Sequence, residues 1–96
     1  MKTEANQLYI VRSDRAGVFF GQIKEKKDNS IIMTNVRKIF YWDGAAAIEQ
    51  IAISGVDSKS KLTVVVPEME IERWIQIIPC SEAATTNLQN QKEWKR

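Results

Sequence analysis

FYWDGAAAIEQ, residues 40–50, is the stretch on which the fold turns, because a strand hands over to a helix inside it. Phe40, Tyr41 and Trp42 are aromatic strand formers, whereas Ala45, Ala46 and Ala47 are strong helix formers. Asp43 between them reads as an N-cap, its carboxylate accepting from the exposed N–H groups of a first helical turn. Gly55 is a natural left-handed terminator, which predicts a helix from Gly44 to Ser54. Only Glu49, Gln50 and Ser54 are clearly polar along it, so the helix is expected to be covered on more than one side. A second copy of the chain is one source of that cover, and a homo-oligomer joined through 44–54 is expected.

Working back toward the N-terminus, Leu8 to Val11 is a short strand closed by the turn composition Ser13-Asp14-Arg15-Ala16-Gly17. Val18 to Ile23 resumes the strand pattern, and Gly21 inside it predicts a bulge or a close backbone approach. Lys27-Asp28-Asn29-Ser30 is a hairpin turn, since Asp and Asn tolerate the left-handed conformation and bond their own backbone. A third strand follows from Ile31 as far as Trp42. On it Ile32, Val36, Phe40 and Trp42 would share a face, with Thr34 and Lys38 among them. That broken alternation places a bulge or bend at Asn35 to Lys38.

Toward the C-terminus, Leu62 to Val66 is β-branched and reads as a central strand ended by Pro67. From Met69 the pattern alternates, with Met69, Ile71, Ile75 and Ile77 on one face and Glu68, Glu70, Glu72 and Gln76 on the other. Arg73, Trp74 and Ile78 interrupt it, and Pro79 stops it. Ser81 can cap a short helix through about Leu88, Glu82 suiting its first turn. Residues 89–96 read as a polar tail, frayed apart from Trp94, beyond an ordered core of about 7–88. The expected fold is α+β, one domain in the order β-β-β-α-β-β-α, with a bent, mostly antiparallel sheet or small open barrel and a helix packed on it.

Ninety-six residues suit a single core. With 44% hydrophobic and 27% charged residues, the composition is that of a folded soluble chain. Apolar runs fall well short of the roughly 18 residues that span a bilayer, so no membrane association is expected. The opening MKTEANQ lacks the apolar stretch of a signal peptide. Cys80 is the only cysteine, which suits a reducing cytoplasm. Net charge is +2, but residues 1–42 hold eight bases against four acids, and residues 43–96 hold six against eight. Such a balance is low for a general nucleic-acid binder.

There is no histidine, hence no commonest general base and no commonest zinc ligand. One cysteine without histidine makes neither a structural zinc site nor a Cys–His nucleophile. The four glycines, at 17, 21, 44 and 55, form no phosphate-cradling loop. Glu68, Glu70 and Glu72 have a spacing that fits a hard cation but equally a solvated strand face. No catalytic residue, metal site or cofactor is expected, and the chain reads as a non-enzyme.

The junction nevertheless gathers three ingredients of a ligand site. Arg37 and Lys38 carry positive charge, and Arg grips phosphate bidentately. Phe40, Tyr41 and Trp42 alternate across the strand, so at least one ring should face outward, free to stack on a base. The helix start at Gly44, Ala45 and Ala46 directs N–H groups toward an anion. Arg12 is a further source of charge. Against this, aromatics at a strand end also serve a core, and a capping Asp43 would occupy the phosphate position. Asp43 could instead accept from a ribose hydroxyl or a base amine.

Thr34-Asn35-Val36-Arg37-Lys38-Ile39-Phe40-Tyr41-Trp42-Asp43-Gly44-Ala45 resembles a segment of a small uncharacterised protein family of tailed bacteriophages. Ile77-Ile78-Pro79-Cys80-Ser81, Asn87-Leu88, Val11-Arg12 and Gly17-Val18-Phe19-Phe20-Gly21 fit the same pattern, so the likeness spans about residues 8–88. Members often carry Trp at the position of Phe40, a small polar residue at Tyr41 and Asn-Thr at Ala46-Ala47, where this chain departs. The resemblance implies a phage context and no particular chemistry. Small phage proteins without catalytic residues often act by binding, with blockade of host defence a common outcome. The expectation is therefore a binding protein in the host-cell cytoplasm that sequesters a nucleotide-type immune signal, such as a cyclic oligonucleotide. Arg37, Lys38, Tyr41, Trp42, Asp43, Gly44, Ala45, Ala46 and Arg12 would form its pocket. The alternatives are a protein–protein inhibitor of a host defence complex, such as an anti-CRISPR, and a phage structural or assembly part.

Overall fold

The structure is a computed structural model and describes residues 7–95. Strands β1 (Tyr9–Ser13), β2 (Gly17–Lys26) and β3 (Ser30–Tyr41) form an antiparallel meander through the two expected turns. Helix α1 (Ile48–Ser54), the two-residue strand β4 (Lys61–Leu62), strands β5 (Val66–Glu72) and β6 (Trp74–Pro79), and helix α2 (Glu82–Gln89) follow. The strand order is β4-β3-β2-β1-β6, with β5 paired to β3 beside β4. The fold is therefore α+β, a six-stranded, mostly antiparallel open sheet with two helices in the expected order.

A single residue carries the chain from one flank of the sheet to the other. β5 pairs with β3 and β6 pairs with β1, so one continuous segment takes both flanks of the meander. Arg73 joins the halves at φ 58. Its N–H donates to the Asn29 carbonyl at 2.7 Å, and its own carbonyl accepts from Asp14 N–H at 2.9 Å. Both hairpin turns are thereby tied to one corner. Because Arg73 resets the alternation, the expected single face of Met69, Ile71, Ile75 and Ile77 is corrected. Ile71 is buried and Met69 and Ile77 pack beside it, but Ile75 falls where the β1–β6 register shifts and is exposed.

Asn35, at φ 48, makes the expected bulge in β3, and the β2–β3 register shifts there. Gly21 answers it across the ladder: a Cβ at Gly21 would lie 2.9 Å from Val36 Cα and 3.0 Å from the Thr34 carbonyl oxygen. Before the bulge Ile31 and Met33 face the concave core with Tyr9, Val11, Phe19 and Ile71; after it Val36 does, and Ile39 turns to the other face. On that face Ile10, Phe20, Ile39 and Leu62 pack against Ile51 and Ala52 of α1 and Ala84 and Leu88 of α2. Each large side chain among them contributes about 1.5–3 kcal/mol of burial.

Three further expectations are corrected. The helix does not begin at Gly44, and Asp43 does not cap it. Gly44 adopts φ 87, outside the helical region, and its backbone sits where a Cβ would meet Asp57 N at 3.0 Å. Asp57 N–H donates to the Asp43 carbonyl at 2.8 Å, so loop packing overrides the alanine propensity through residue 47. Ala47 is the N-cap without a side-chain bond, and Gln50 Oε1 instead accepts from Ala46 N–H at 2.8 Å. Second, the predicted strand 62–66 shrinks to Lys61–Leu62, Val64 and Val65 are exposed, and Pro67 lies inside β5 rather than ending a strand. β5 lies at the sheet's edge, where a missing N–H is tolerated. Third, residues 90–95 fold back: Leu62 bridges to Glu93, and Trp94 N–H donates to the Leu62 carbonyl at 2.8 Å. Arg96, the last residue of the predicted tail, lies outside the described residues. Ser81 caps α2 as expected, its hydroxyl accepting from Ala84 N–H. Of the expected oligomer helix, Ile51 and Ala52 are buried within the chain, and Ile53 remains exposed.

Candidate functional site

After the Asn35 bulge, alternation turns Phe40 outward at the end of β3, where it is 56% exposed. Trp94, returning from α2, stacks on it with ring centroids 4.8 Å apart and planes 17° from parallel. Each ring covers one face of the other, and both remain partly exposed. Lys61 Nζ lies 5.4 Å from the Trp94 ring centre, within cation–π range. A shallow cavity of about 240 Å³ adjoins the pair, lined by Ser58, Ser60, Lys92, Glu93, Trp94 and Lys95. Ser60 Oγ is engaged by Asp43, accepting from its N–H at 2.9 Å. Lys95 meets Glu93 at 3.6 Å, an exposed pair that contributes little. Aromatic faces, ammonium groups and hydroxyls thus converge on one corner.

The sequence-predicted residues divide around this corner. Arg37 is not at the junction: it is 3% exposed, and its guanidinium turns into the protein. Nε donates to the Thr63 carbonyl at 2.8 Å and Nη1 to Leu88 at 2.9 Å, with longer Nη2 contacts to Leu62 and Lys92. Burial lowers its pKa, opposed by the charge of Glu93. Lys38 lies over the Phe19 ring, its Nζ 6.0 Å from the ring centre, on the side away from α2. Tyr41 is half exposed beside Phe40 at the end of β3, where the β3–β4 register shifts. Trp42 and Ala45 pack against the helix-side core. Asp43, Gly44 and Ala46 are exposed in the loop before α1, where Asp43 Oδ1 accepts from Gly44 N–H. With α1 starting at Ile48, the expected helix-start anion site at Gly44–Ala46 is not formed. Arg12 lies across the sheet beside Glu49 of α1. That carboxyl is held below its ordinary range, first by the Gln76 Nε2 hydrogen bond and further by the charge of Arg12.

What sequence reading missed is the partner set: Trp94, Lys61, Lys92, Lys95 and Ser58. They come from a loop and a presumed tail, and the signal available was a lone tryptophan in an otherwise polar terminus. Elsewhere, Glu68 and Glu70 face Lys24 and Lys27 at 3.0 and 3.8 Å. Among the described residues no group of acids and thiols could hold a metal ion. Burial pushes the Cys80 thiol up to about 12, leaving it unreactive at neutral pH.

The family model described as Domain of unknown function (DUF6948) matches residues 6–88. No curated protein and no solved structure matches the chain.

Proposed function

This chain belongs to the DUF6948 family, and from that premise we propose that it is a non-catalytic binding protein for a nucleotide-type ligand held at the Phe40–Trp94 corner. The observation that carries the reading is the half-exposed stacked pair with an ammonium 5.4 Å from one ring. A base stacks on the open face of Phe40, and its phosphates lie toward Lys61, Lys92 and Lys95. A stacked base contributes about 1–3 kcal/mol and an exposed cation–π contact about 0.5–1 kcal/mol. One corner therefore binds weakly. A ligand with two or three bases, spanning corners of neighbouring protomers, gains from effective concentration what no single corner supplies. That favours a cyclic oligonucleotide and an oligomeric protein. With the resemblance to tailed-phage proteins, the reading becomes sequestration of a nucleotide immune signal in the host cytoplasm. Calorimetric titration at low salt with a panel of cyclic di- and trinucleotides tests it: micromolar binding lost in Phe40→Ala supports it, and no heat with any member overturns it.

A second reading rests on Phe40, Tyr41, Val64 and Val65, which are all exposed around the end of β3 and the chain after β4. These suit a protein contact, as in an inhibitor of a host defence complex. Pull-down from a defended host separates the two: a stoichiometric protein partner lost in Val65→Asp favours inhibition.

A further inference from the structure

A second cavity lies elsewhere, between α2 and the β2–β3 face. It measures about 520 Å³ and is lined by Leu8, Phe20, Gln22, Asn35, Arg37, Val65, Thr85 and Gln89. That volume falls within the range of small-molecule sites. Its lining has an uneven chemistry. Arg37 is the only charged lining residue, and no carboxylate lies within ion-pair distance of its guanidinium among the described residues. A buried cation held only by neutral carbonyls keeps most of its desolvation cost.

We propose that this cavity binds a small organic anion, a carboxylate or phosphate monoester on a short apolar body, with its head on Arg37 and its body against Leu8, Phe20 and Val65. A guanidinium has five N–H donors. Four reach backbone carbonyls, and the second N–H of Nη1 has no acceptor among the described residues. The two Nη2 contacts, at 3.5 and 3.4 Å, are at the long end of hydrogen bonding, so an incoming oxyanion shares them at little loss. Thr85 and Gln89, at i and i+4 on α2, lie on one helix face over the cavity. Neither side chain has a hydrogen-bond partner among the described residues, and both can donate to the same head group. Val65, half exposed at the mouth, is covered by the apolar body.

The site shares no lining residue with the Phe40–Trp94 corner, although Arg37 also holds the Lys92 carbonyl there. The test is amide-resolved NMR titration of the full chain with phenylacetate, phenyl phosphate and the neutral control benzyl alcohol. The expected result is saturable shifts at Asn35, Thr85 and Gln89 with either anion, and binding at least about tenfold weaker for the alcohol. Which anion binds tighter identifies the head group. Thr85→Val and Gln89→Leu, which leave the Arg37 ties intact, should each weaken the anions about three- to tenfold without lowering the melting temperature. Absence of shifts at these residues up to about 10 mM, an equal response to the alcohol, or undiminished binding in both variants overturns the proposal.

Discussion

Nη1 of Arg37 donates to the carbonyl oxygen of Leu88 at 2.9 Å, so the middle of β3 holds the last turn of α2. The last carbonyls of a helix lack intrahelical partners, and a cation there also meets the negative end of the helix dipole. The same guanidinium holds the carbonyls of Leu62, Thr63 and Lys92, joining the segment after β4 to the returning C-terminus. Arg37→Met removes every one of these donors while keeping much of the volume. We expect a loss of about 2–4 kcal/mol in urea unfolding, with Arg37→Lys intermediate because it keeps the charge but not the planar fork. At about 4–8 °C of melting temperature per kcal/mol, calorimetry should resolve all three proteins. An unchanged midpoint in Arg37→Met would show that the ties contribute nothing.

Gly55 and Asn87 make a second joint. Gly55 sits at φ 81 and ψ −155, a region open essentially to glycine, and a Cβ there would meet the Asn87 side chain. Asn87 in turn brackets Val56, accepting from its N–H at 2.8 Å and donating to its carbonyl at 2.9 Å. Gly55→Ala should cost at least about 2 kcal/mol and Asn87→Ala about 1–3 kcal/mol. In the double variant the contacts with Asn87 Oδ1 and Cγ are removed, while the one with the Cβ at position 87, at 2.6 Å, and the backbone strain stay. The two losses should therefore sum to less than their separate values by about 1 kcal/mol. Strict additivity in a denaturant-based double-mutant cycle would remove the steric part of this account.

Local residues announced what local forces determine. The turns at 13–17 and 27–30, the bulge at Asn35, the Ser81 cap and the Gly55 terminator all depend on neighbours in sequence, and the close approach at Gly21 was marked by a glycine inside a strand pattern. Each carried a residue type suited to its backbone, so the α+β order was legible. Long-range packing was not. The alanines at 45–47 favour a helix, but Asp57 and Ser60 hold Asp43 and Gly44 in a loop, and nothing in 40–50 encodes that contact. Arg37 looked like a ligand grip because its carbonyl partners come from 25 to 55 residues away. Arg73 showed only as an interruption of alternation, although it joins β5 to β6 and ties both hairpin turns. At the candidate site Phe40 was visible and the lysines were not, since Lys61, Lys92 and Lys95 gather around Trp94, and Trp94 reaches Phe40 only through the fold.

Cys80 gives a prediction with a defined pH window. Burial raises its thiol from 9.0 to about 12, so between these values the folded chain holds a proton that the unfolded chain releases. The folded state then binds more protons, and stability must fall as pH rises through that interval, while below pH 9.0 the group contributes no slope. Cys80→Ala should flatten the alkaline part of a stability–pH profile measured by urea unfolding. Below pH 9 the native thiol carries roughly a thousandfold less thiolate than an ordinary one, so a disulfide reagent should modify it only on unfolding. Fast labelling of native protein at pH 8 would contradict the burial.

Phe40 and Trp94 allow the binding proposal to be separated from stability. Their stack, at 4.8 Å and 17°, joins the end of β3 to the C-terminal segment. Aromatic pairs contribute about 0.5–1.5 kcal/mol beyond burial, so a double-mutant cycle on Phe40→Ala and Trp94→Ala should return a coupling of that size. Both rings are about half exposed, and neither variant should unfold the chain. Binding responds differently. Phe40→Ala removes the open stacking face and should weaken a nucleotide by about ten- to a hundredfold. Lys61→Gln keeps the rings but removes the ammonium near Trp94. It should weaken binding only a few-fold and shift the salt dependence toward zero. If Phe40→Ala and Lys61→Gln reduce affinity equally and in parallel with stability, the corner is a structural seam rather than a ligand platform.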